Sequence, residues 1–422
     1  MDLESFKFLH AADIHLDSPL RGLSQYEGVP ADVVRTATRD ALNNLVDLAI
    51  EEDVAFVIIA GDLYDGDWED IGTGLFLCSA MGRLGRAGID AYLLYGNHDA
   101  ESSITRRLPL PENVHVFPAN APKTFEHAGT AALLHGQSYK DRDPGCNLAL
   151  AYPAATPGRL NIGVLHTSLQ GHADHAPYSP CDPAELAAKG YHYWALGHVH
   201  GFAVVKQDPH IVFPGNLQGR NIRETGAKGA ALVSVGPPGI TAVEHVPLDV
   251  VRWSRIAVDA TGLAGLAEVE KAVRFAIGSA SDTEAGGRAL VIRVVITGQT
   301  AAHEALVERR QDLRDDVRAI ATSTSDRIWI EKVQLRTEPT PSGSAPGVWA
   351  GDDLTALLAN ADADADLREA LRAELDELAT RLPADLGGDS ELIPAIRAGD
   401  YGTIIAQAAE SLRLRLSRGP GA

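Results

Sequence analysis

Five short apolar runs in this chain each stop at a polar residue that can bind a metal ion. The runs have the length and the β-branched and aromatic content of buried strands. This repeated order predicts a sheet that presents polar side chains at the ends of its strands. The runs are residues 6–12, 54–60, 92–95, 162–165 and 193–196, and they lead into Asp13-Ile14-His15, Gly61-Asp62, Gly96-Asn97-His98-Asp99, His166 and Gly197-His198-Val199-His200.

The polar side chains at these positions are aspartates, an asparagine and several histidines, with no thiolate among them. Oxygen and imidazole ligands of this kind suit Mn²⁺, Fe²⁺ or Zn²⁺ better than a structural zinc site. Taken alone, each motif is also an ordinary polar turn. Together they offer more ligands than one ion takes, so we expect a bridged pair of metal ions.

A helix-period stretch lies between the first two runs, from about residue 32 to residue 52. It carries Val33, Ala37, Ala41 and Leu45 on one face. Strands that alternate with helices indicate an α/β layered fold. Open sheets of this kind bind ligands at the carboxyl ends of their strands. The strand pattern and the metal-binding pattern therefore predict the same edge of the same sheet.

The set D-x-H, G-D, G-N-H-D, H and G-H-x-H, in this order, resembles the calcineurin-like metallophosphoesterase superfamily. Finer features resemble its DNA-repair exonuclease branch, the SbcD-like nucleases and their YhaO-type relatives. These features lie at residues 15–20, at 165–168 followed by 176–178, and at 214–224. The resemblance spans roughly residues 6–250 and implies a layered β-sandwich flanked by helices.

The resemblance also implies how the metal ions would be held. Asp13, His15 and His200 would hold the first ion, Asn97, His166 and His198 the second, and Asp62 would bridge them. Two divalent ions are implied, with Mn²⁺ preferred and Fe²⁺ or Zn²⁺ as alternatives.

His98 is the implied catalytic residue that is not a ligand. It would contact the scissile phosphate or protonate the leaving oxygen, and Asp99 would orient it by accepting its other ring proton. The implied reaction is phosphodiester hydrolysis by a hydroxide that the two metals activate, without a covalent intermediate.

Three further residues are candidates for contact with substrate. Arg220 and Arg223 follow the metal motifs and would bind backbone phosphates, with ordinary salt bridges as the alternative. Tyr178 would stack on a base, with packing in the protein as the alternative. Most other histidines, including His210, lack partners of this kind and are expected to be ordinary core or surface residues.

Composition limits where the chain can act. The three cysteines Cys78, Cys146 and Cys181 cannot all pair within the chain and show no C-x-x-C spacing, which is typical of a reduced compartment. The N-terminus shows no basic segment before an apolar stretch, and no apolar run reaches about 18 residues. We expect a soluble, cytoplasmic protein without a membrane span.

Net charge argues against a simple DNA-binding surface. The chain carries a formal charge of −20, and its first 250 residues have 17 basic and 30 acidic side chains. Proteins that grip duplex DNA usually show a basic footprint. Either a partner supplies the grip on DNA, or the substrate is smaller than DNA.

The chain beyond the motifs is predicted to form two further parts. Strands at 253–258, 289–297 and 327–335 alternate with helices at 263–277 and 301–321, which is the pattern of a small α/β domain. The resemblance implies that this is a capping domain, with a generic accessory domain as the alternative. The predicted boundaries are 1–250 for the nuclease domain, 251–338 for the cap, 339–350 for a linker and 351–422 for a C-terminal helical segment.

The linker is rich in Pro, Gly and Ser, and helices are predicted at 354–361, 366–382 and 403–414. The resemblance implies that this C-terminal segment docks on an SMC-like coiled-coil ATPase (SbcC-like) and that the nuclease domain forms a homodimer. An acidic, solvated helix face is the alternative. The chain contains no G-x-x-x-x-G-K-[ST] motif, so a partner would have to supply any ATPase activity.

Three functions fit these observations. The first is a metal-dependent DNA exonuclease in DNA repair, acting as the nuclease subunit of a complex. The second is a phosphodiesterase for nucleotides or other small phosphodiesters, which the acidic charge favours. The third is a non-catalytic scaffold that recruits an ATPase, which the complete ligand set opposes. We expect the exonuclease.

Overall fold

The structure is a computed structural model of the 422-residue chain. It describes residues 4–18, 20, 31–65, 70–101, 109–169, 179–340, 364–381, 395–396 and 399–416. The chain forms two compact units. The first comprises Met1–Arg255, Gly278–Ile292 and Thr324–Glu331, and the second comprises Ile256–Ile277, Arg293–Ser323 and Lys332–Ala422.

Strands alternate with helices from the first strand to the third, as the sequence pattern predicts there, and longer runs of consecutive strands follow in the described residues. The strands are β1 (Phe6–Ala11), β2 (Phe56–Ala60), β3 (Asp90–Leu94), β4 (Val114–Val116), β5 (Lys123–Glu126), β6 (Ala132–Gly136), β7 (Leu160–His166), β8 (Tyr193–Gly197), β9 (Ala203–Gln207), β10 (His210–Phe213), β11 (Gly229–Gly236), β12 (Gly239–Pro247), β13 (Val251–Asp259), β14 (Ala289–Thr300) and β15 (Ile328–Pro339). The helices are α1 (Ala31–Glu51), α2 (Ile71–Arg86), α3 (Pro183–Ala188), α4 (Leu266–Thr283), α5 (His303–Glu308), α6 (Arg310–Thr324), α7 (Ala365–Arg381) and α8 (Tyr401–Leu416).

Two six-stranded sheets lie in the first unit. One has the order β12-β11-β1-β2-β3-β4 and the other the order β5-β6-β7-β8-β10-β9. Strands β1 to β4 run parallel to one another, as do β6, β7, β8 and β10. Parallel strands have their carboxyl ends at one edge of the sheet, and all five predicted ligand motifs follow strands of these two parallel sets.

The two sheets pack against each other through an aromatic and aliphatic layer. Phe8 stacks on Phe56 with ring centroids 5.1 Å apart, and its edge meets Tyr193 of the other sheet at 5.3 Å. Ile162 and Leu134 belong to the same fully buried cluster. Because side chains alternate along a strand, the neighbouring residues of β1 and β2 point to the opposite face.

Helices cover that opposite face. Leu9 and Ile59 pack there with Leu45 of α1 and Leu77 of α2. The second sheet is covered in the same way, where Trp194 of β8 packs in one cluster with Leu186 of α3. The result is an α/β β-sandwich flanked by helices, which confirms the predicted fold class.

The remaining strands form a three-stranded sheet in the order β13-β14-β15. Buried residues recur at helical spacing on α4 (Val269, Val273, Ile277) and on α6 (Leu313, Val317, Ile320). The single helix expected at 301–321 is two helices, because Arg309 leaves helical geometry at φ −98° and ψ 29°. The predicted β-α-β-α-β order is otherwise present. The domain boundaries themselves stay a prediction.

At the C-terminus α7 and α8 contact each other. The helix expected at 354–361 and residues 341–350 of the expected linker lie outside the described residues. Within the part of the chain that the structure describes, no helix has the length and apolarity required to cross a membrane.

The layer between the two sheets gives a prediction on stability. Phe8→Ala removes a fully buried ring from that layer, and we expect it to lower the free energy of unfolding by about 3–5 kcal/mol. Phe275→Ala is the control because this ring is 80 % exposed; we expect a change within about 0.5 kcal/mol. Urea denaturation followed by circular dichroism measures both. Equal stability of the two variants would contradict the packing described here.

Candidate metal centre

The predicted ligands converge where β1, β2, β3, β7 and β8 end. Asp13 and His15 follow β1, Asp62 follows β2, Asn97 and His98 follow β3, His166 is the last residue of β7, and His198 and His200 follow β8. All of them except His98 and His200 are buried. The residues that the sequence motifs single out therefore occupy one small region.

Backbone hydrogen bonds hold the first two motif loops together beyond the strands. The Asp13 amide donates to the Gly61 carbonyl at 2.9 Å, and the His15 amide donates to the Asp62 carbonyl at 3.0 Å. Both loops are conformationally strained, since Asp13, His15 and Asp62 have φ of 50°, 44° and 52°. Side chains other than glycine disfavour this region, and such strain tends to cluster at functional sites.

Two glycines are required by the close approach of neighbouring groups. A Cβ at Gly96 would collide with the Asp62 carboxylate and lie 2.9 Å from the His166 ring. A Cβ at Gly197 would collide with the Ala60 carbonyl and lie 2.8 Å from Nδ1 of His166. The glycine in front of Asn97 and the one in front of His198 therefore make room for the ligand side chains themselves.

The first group of ligand atoms comprises Asp13, His15 and His200, which lie within 4.8 Å of one another. Nε2 of His200 is 3.8 Å from Oδ1 of Asp13. The rings of His15 and His200 have centroids 5.3 Å apart. These spacings leave room for one ion among the three side chains.

The second group comprises Asp62, His166 and His198. Nε2 of His166 lies 3.5 Å from Oδ2 of Asp62 and 3.0 Å from Oδ1 of Asn97. The same Asp62 oxygen is 3.9 Å from Nε2 of His15. Asp62 thus lies between the two groups, at the position predicted for a bridging carboxylate.

The imidazole hydrogen bonds fit metal binding. Nδ1 of His166 donates to the Ala60 carbonyl at 2.9 Å, and Nδ1 of His200 donates to Glu224 at 2.8 Å. In a neutral ring this leaves the lone pair on Nε2, and in His166 a metal ion would have to displace the proton that Nε2 presents to Asp62 and Asn97. Nε2 of His15 is buried and makes no hydrogen bond within the described residues. A divalent cation would satisfy all three nitrogens.

Charges at the centre are strongly coupled. Burial opposes ionisation of Asp62, but His166 beside it holds the pKa of that carboxyl well below its usual range. Burial also opposes protonation of His166, yet Asp62 and Asp13 raise its pKa to about 9. For His15 burial dominates and lowers the pKa to about 3. The Asp62 carboxylate is thus paired with a protonated His166, and a bound cation would have to replace that proton.

His98 is less buried than these residues, and with His15 and Asp62 it forms a third group whose ligand atoms lie within 4.8 Å of one another. Its ring centroid is 5.0 Å from that of His15, and its amide donates to Oδ1 of Asp62 at 3.1 Å. The side chain is 33 % exposed, so a substrate can reach it.

Asp99 makes its hydrogen bonds to backbone amides and not to the His98 ring that it was predicted to orient. Its buried carboxylate accepts the amide protons of Leu63, Tyr64 and Gly96, which binds the second motif loop to the third. Burial and the neighbouring Asp62 raise the pKa of Asp99 to about 7. The carboxylate that faces the His98 ring is Asp65, whose Oδ1 is 3.6 Å from Nδ1.

The three substrate candidates have different surroundings. Arg220 contacts Asp65 at 3.6 Å and Glu224 at 3.2 Å, so it forms the salt bridges that were the alternative to phosphate binding. Arg223 is exposed and lines a cavity beside His200. Tyr178 lies outside the described residues.

Two carboxylates of the centre, Asp65 and Glu224, are not marked by the sequence motifs. Asp65 lies 3.5 Å from Nδ1 of His15 as well as near His98. Glu224 accepts from His200, Asn216 and Arg220. Each was visible only as a carboxylate near a motif, three residues after Asp62 or at the end of the 214–224 segment. No spacing rule singles them out.

Comparison with known proteins agrees with the site. Residues 6–202 match the family described as Calcineurin-like phosphoesterase, and residues 253–338 match the Metallophosphoesterase YhaO, middle domain family. The chain is 34 % identical over 318 residues to the uncharacterized metallophosphoesterase YhaO of Bacillus subtilis strain 168, covering 74 % of this chain and 76 % of that protein. The chain therefore belongs to the calcineurin-like metallophosphoesterases, and within them it is a relative of YhaO.

More distant similarities are also present. The DNA double-strand break repair protein Mre11 of Sulfurisphaera tokodaii is 26 % identical over 260 residues, which cover 58 % of this chain and 63 % of that protein. Among solved structures, a protein of Thermus thermophilus aligns at 14 % identity over 58 % of this chain and 99 % of its own, with a TM-score of 0.34. A dimetal phosphatase from Danio rerio aligns at 13 % identity over 58 % and 98 %, with a TM-score of 0.33.

Metal binding at Asp62 gives the first test of the site. We expect Mn²⁺ added to EDTA-dialysed protein to raise the melting temperature. At a free Mn²⁺ concentration of about a hundred times Kd, binding should add about 2.7 kcal/mol to the free energy of unfolding. Asp62→Asn should lose most of this gain because the amide carries no charge between the two groups. The control Asp141→Asn changes an exposed loop carboxylate and should retain it. A full Mn²⁺ response in Asp62→Asn would contradict the bridging position.

Glu224 gives a second test, since it orients the His200 ring. Glu224→Ala should weaken Mn²⁺ binding by about 10–100-fold, the usual cost of losing a carboxylate that orients a ligand histidine. Glu224→Gln keeps an acceptor for Nδ1–H and should lose less. Isothermal titration calorimetry measures both, with Glu244→Ala, an exposed residue of β12, as the control. Unchanged affinity in Glu224→Ala would refute the orienting role.

Proposed function

We propose that this chain is a metal-dependent DNA exonuclease of DNA repair that acts in the cytoplasm with Mn²⁺. The observation that carries the proposal is the convergence of two ligand groups on Asp62 with the reachable His98 beside them. A scaffold without catalysis would not require this arrangement. The similarity to a protein named for DNA double-strand break repair supports DNA as the substrate.

The reaction is inferred from the residues around the centre. Two divalent ions held there would supply positive charge for the phosphate oxygens and activate the attacking water. The His98 ring would donate a proton or a hydrogen bond to the leaving oxygen, and Asp65 would hold that ring by accepting its Nδ1–H. Asp13, Asp62 and the imidazoles would fix the geometry from buried, hydrogen-bonded positions.

A smaller phosphodiester is the second candidate substrate. The formal charge of −20 opposes the approach of a long polyanion. A nucleotide or short phosphodiester would meet less repulsion and use the same residues.

DNA degradation distinguishes these candidates. We expect the purified chain with Mn²⁺ to digest end-labelled linear DNA and to leave covalently closed DNA intact. His98→Ala should lower the rate by about 10²–10⁴-fold, the usual contribution of a general acid. The control His210→Ala alters a histidine of β10 outside the cluster and should retain activity. Digestion by His98→Ala at the wild-type rate would contradict the assignment.

The same assay bears on the proposed partner, an SMC-like coiled-coil ATPase that binds the C-terminal segment of a nuclease homodimer. Support comes from the family resemblance and from the paired helices α7 and α8. If linear DNA stays intact while bis-p-nitrophenyl phosphate is cleaved in a His98-dependent way, adding such an ATPase from the same genome should restore DNA digestion. Failure to restore it would favour the smaller substrate.

A further inference from the structure

A cavity of about 790 Å³ lies directly beside the candidate metal centre. His200 belongs both to the first ligand group and to the lining of this cavity. The other lining side chains are polar or charged: Asn221, Arg223, Glu224, Thr225 and Lys228. A molecule bound at the metal centre would therefore have the cavity next to it.

Lys228 is the most unusual residue of this lining. It is only 6 % exposed, and its ammonium donates a 2.7 Å hydrogen bond to the His200 carbonyl. It forms no ion pair with a carboxylate among the described residues. A buried ammonium is costly unless it is paired with an opposite charge. A negatively charged ligand in the cavity that Lys228 lines would supply such an opposite charge.

The other charges of the lining leave the cavity cationic. Both oxygens of Glu224 are already occupied, by Nδ1–H of His200 and by Asn216 and Arg220. The guanidinium of Arg223 is exposed and has neither an ion pair nor a hydrogen bond within the described part of the chain. Arg223 and Lys228 thus present two positively charged groups to the cavity, and neither forms an ion pair within the described residues, although the carboxylates of Glu224 and Asp249 act on Lys228 from farther away.

We propose that Arg223 and Lys228 form a subsite for a second phosphate of the substrate, adjacent to the phosphate held at the metal centre. This inference rests on the proposed phosphodiesterase function and adds a substrate preference to it. A strand or oligonucleotide fills both positions, whereas an isolated phosphodiester fills only one. Charge-assisted hydrogen bonds from a guanidinium and an ammonium suit phosphate oxygens, and Asn221 and Thr225 supply further polar contacts.

The test compares the dinucleotide dTpdT with its 5′-phosphorylated and 3′-phosphorylated forms, using the full chain with Mn²⁺. One of the two phosphorylated forms should be cleaved with a kcat/KM about 10–100-fold above that of dTpdT. The ratio of these two kcat/KM values should fall to within about threefold of one in Arg223→Gln and in Lys228→Gln. Taking the ratio cancels any general loss of activity. The control Lys206→Gln removes an exposed charge of β9 and should keep the wild-type ratio.

Binding provides a second measurement that does not depend on turnover. Thymidine 3′,5′-bisphosphate should bind to the Mn²⁺-loaded chain about tenfold or more tightly than thymidine 5′-monophosphate in calorimetric titrations. Both Arg223→Gln and Lys228→Gln should lose this difference, and Lys206→Gln should not.

The two measurements separate the possible failures. The subsite is refuted, while the hydrolytic function stands, if dTpdT is cleaved but neither phosphorylated form has a higher kcat/KM. The same holds if the higher kcat/KM persists in both variants. If no phosphodiester is cleaved, the proposed function fails, and the bisphosphate titration alone decides on the subsite. Equal affinity of the wild type and both variants for the bisphosphate would then refute it.

Discussion

The centre depends on two parallel sets of strands that end at one edge. Alternation along β1 and β2 buries one set of side chains between the sheets and the other beneath the helices, so neither strand can shift by one residue without exposing its core. The hydrogen bonds from Asp13 to Gly61 and from His15 to Asp62 extend this fixed register into the loops. The strained φ angles of those residues are maintained by the core beneath them.

Sequence reasoning predicted the fold class and singled out polar residues that the structure brings together, because both leave local patterns. An apolar run that stops at Asp, Asn or His can be recognised separately in each motif. The order of the motifs along the chain then indicates the family. The orienting carboxylates leave no such pattern. Asp99 is adjacent to His98 in sequence, yet the turn that follows β3 directs its carboxylate toward the amides of Leu63 and Tyr64. Closeness in sequence therefore did not identify the carboxylate beside the His98 ring. That carboxylate is Asp65, which lies on another loop.

Those carboxylates form a continuous network around the ligands. Asp65 accepts from Ser18 at 2.9 Å and faces both His15 and His98, while Arg220 connects it to Glu224 and so to His200. Each buried charge is thereby met by an opposite charge or by hydrogen bonds, which burial requires. A change at one carboxylate is consequently transmitted to imidazoles on three separate loops, and single substitutions in this network are not expected to act independently.

Local charge, rather than net charge, governs whether an acidic chain can hold a phosphodiester. At physiological ionic strength the field of an exposed charge decays over about 8 Å, so acidic residues that lie farther than this from the cavity weigh little on groups held within it. Two divalent ions together with Arg223 and Lys228 would dominate the potential felt by two adjacent phosphates. Repulsion between the net negative charge of the chain and a polyanion still slows the approach of a polymer. Under the proposed function, selection between phosphodiesters would take place at the site, and the proposed partner would be needed chiefly for the capture of long DNA.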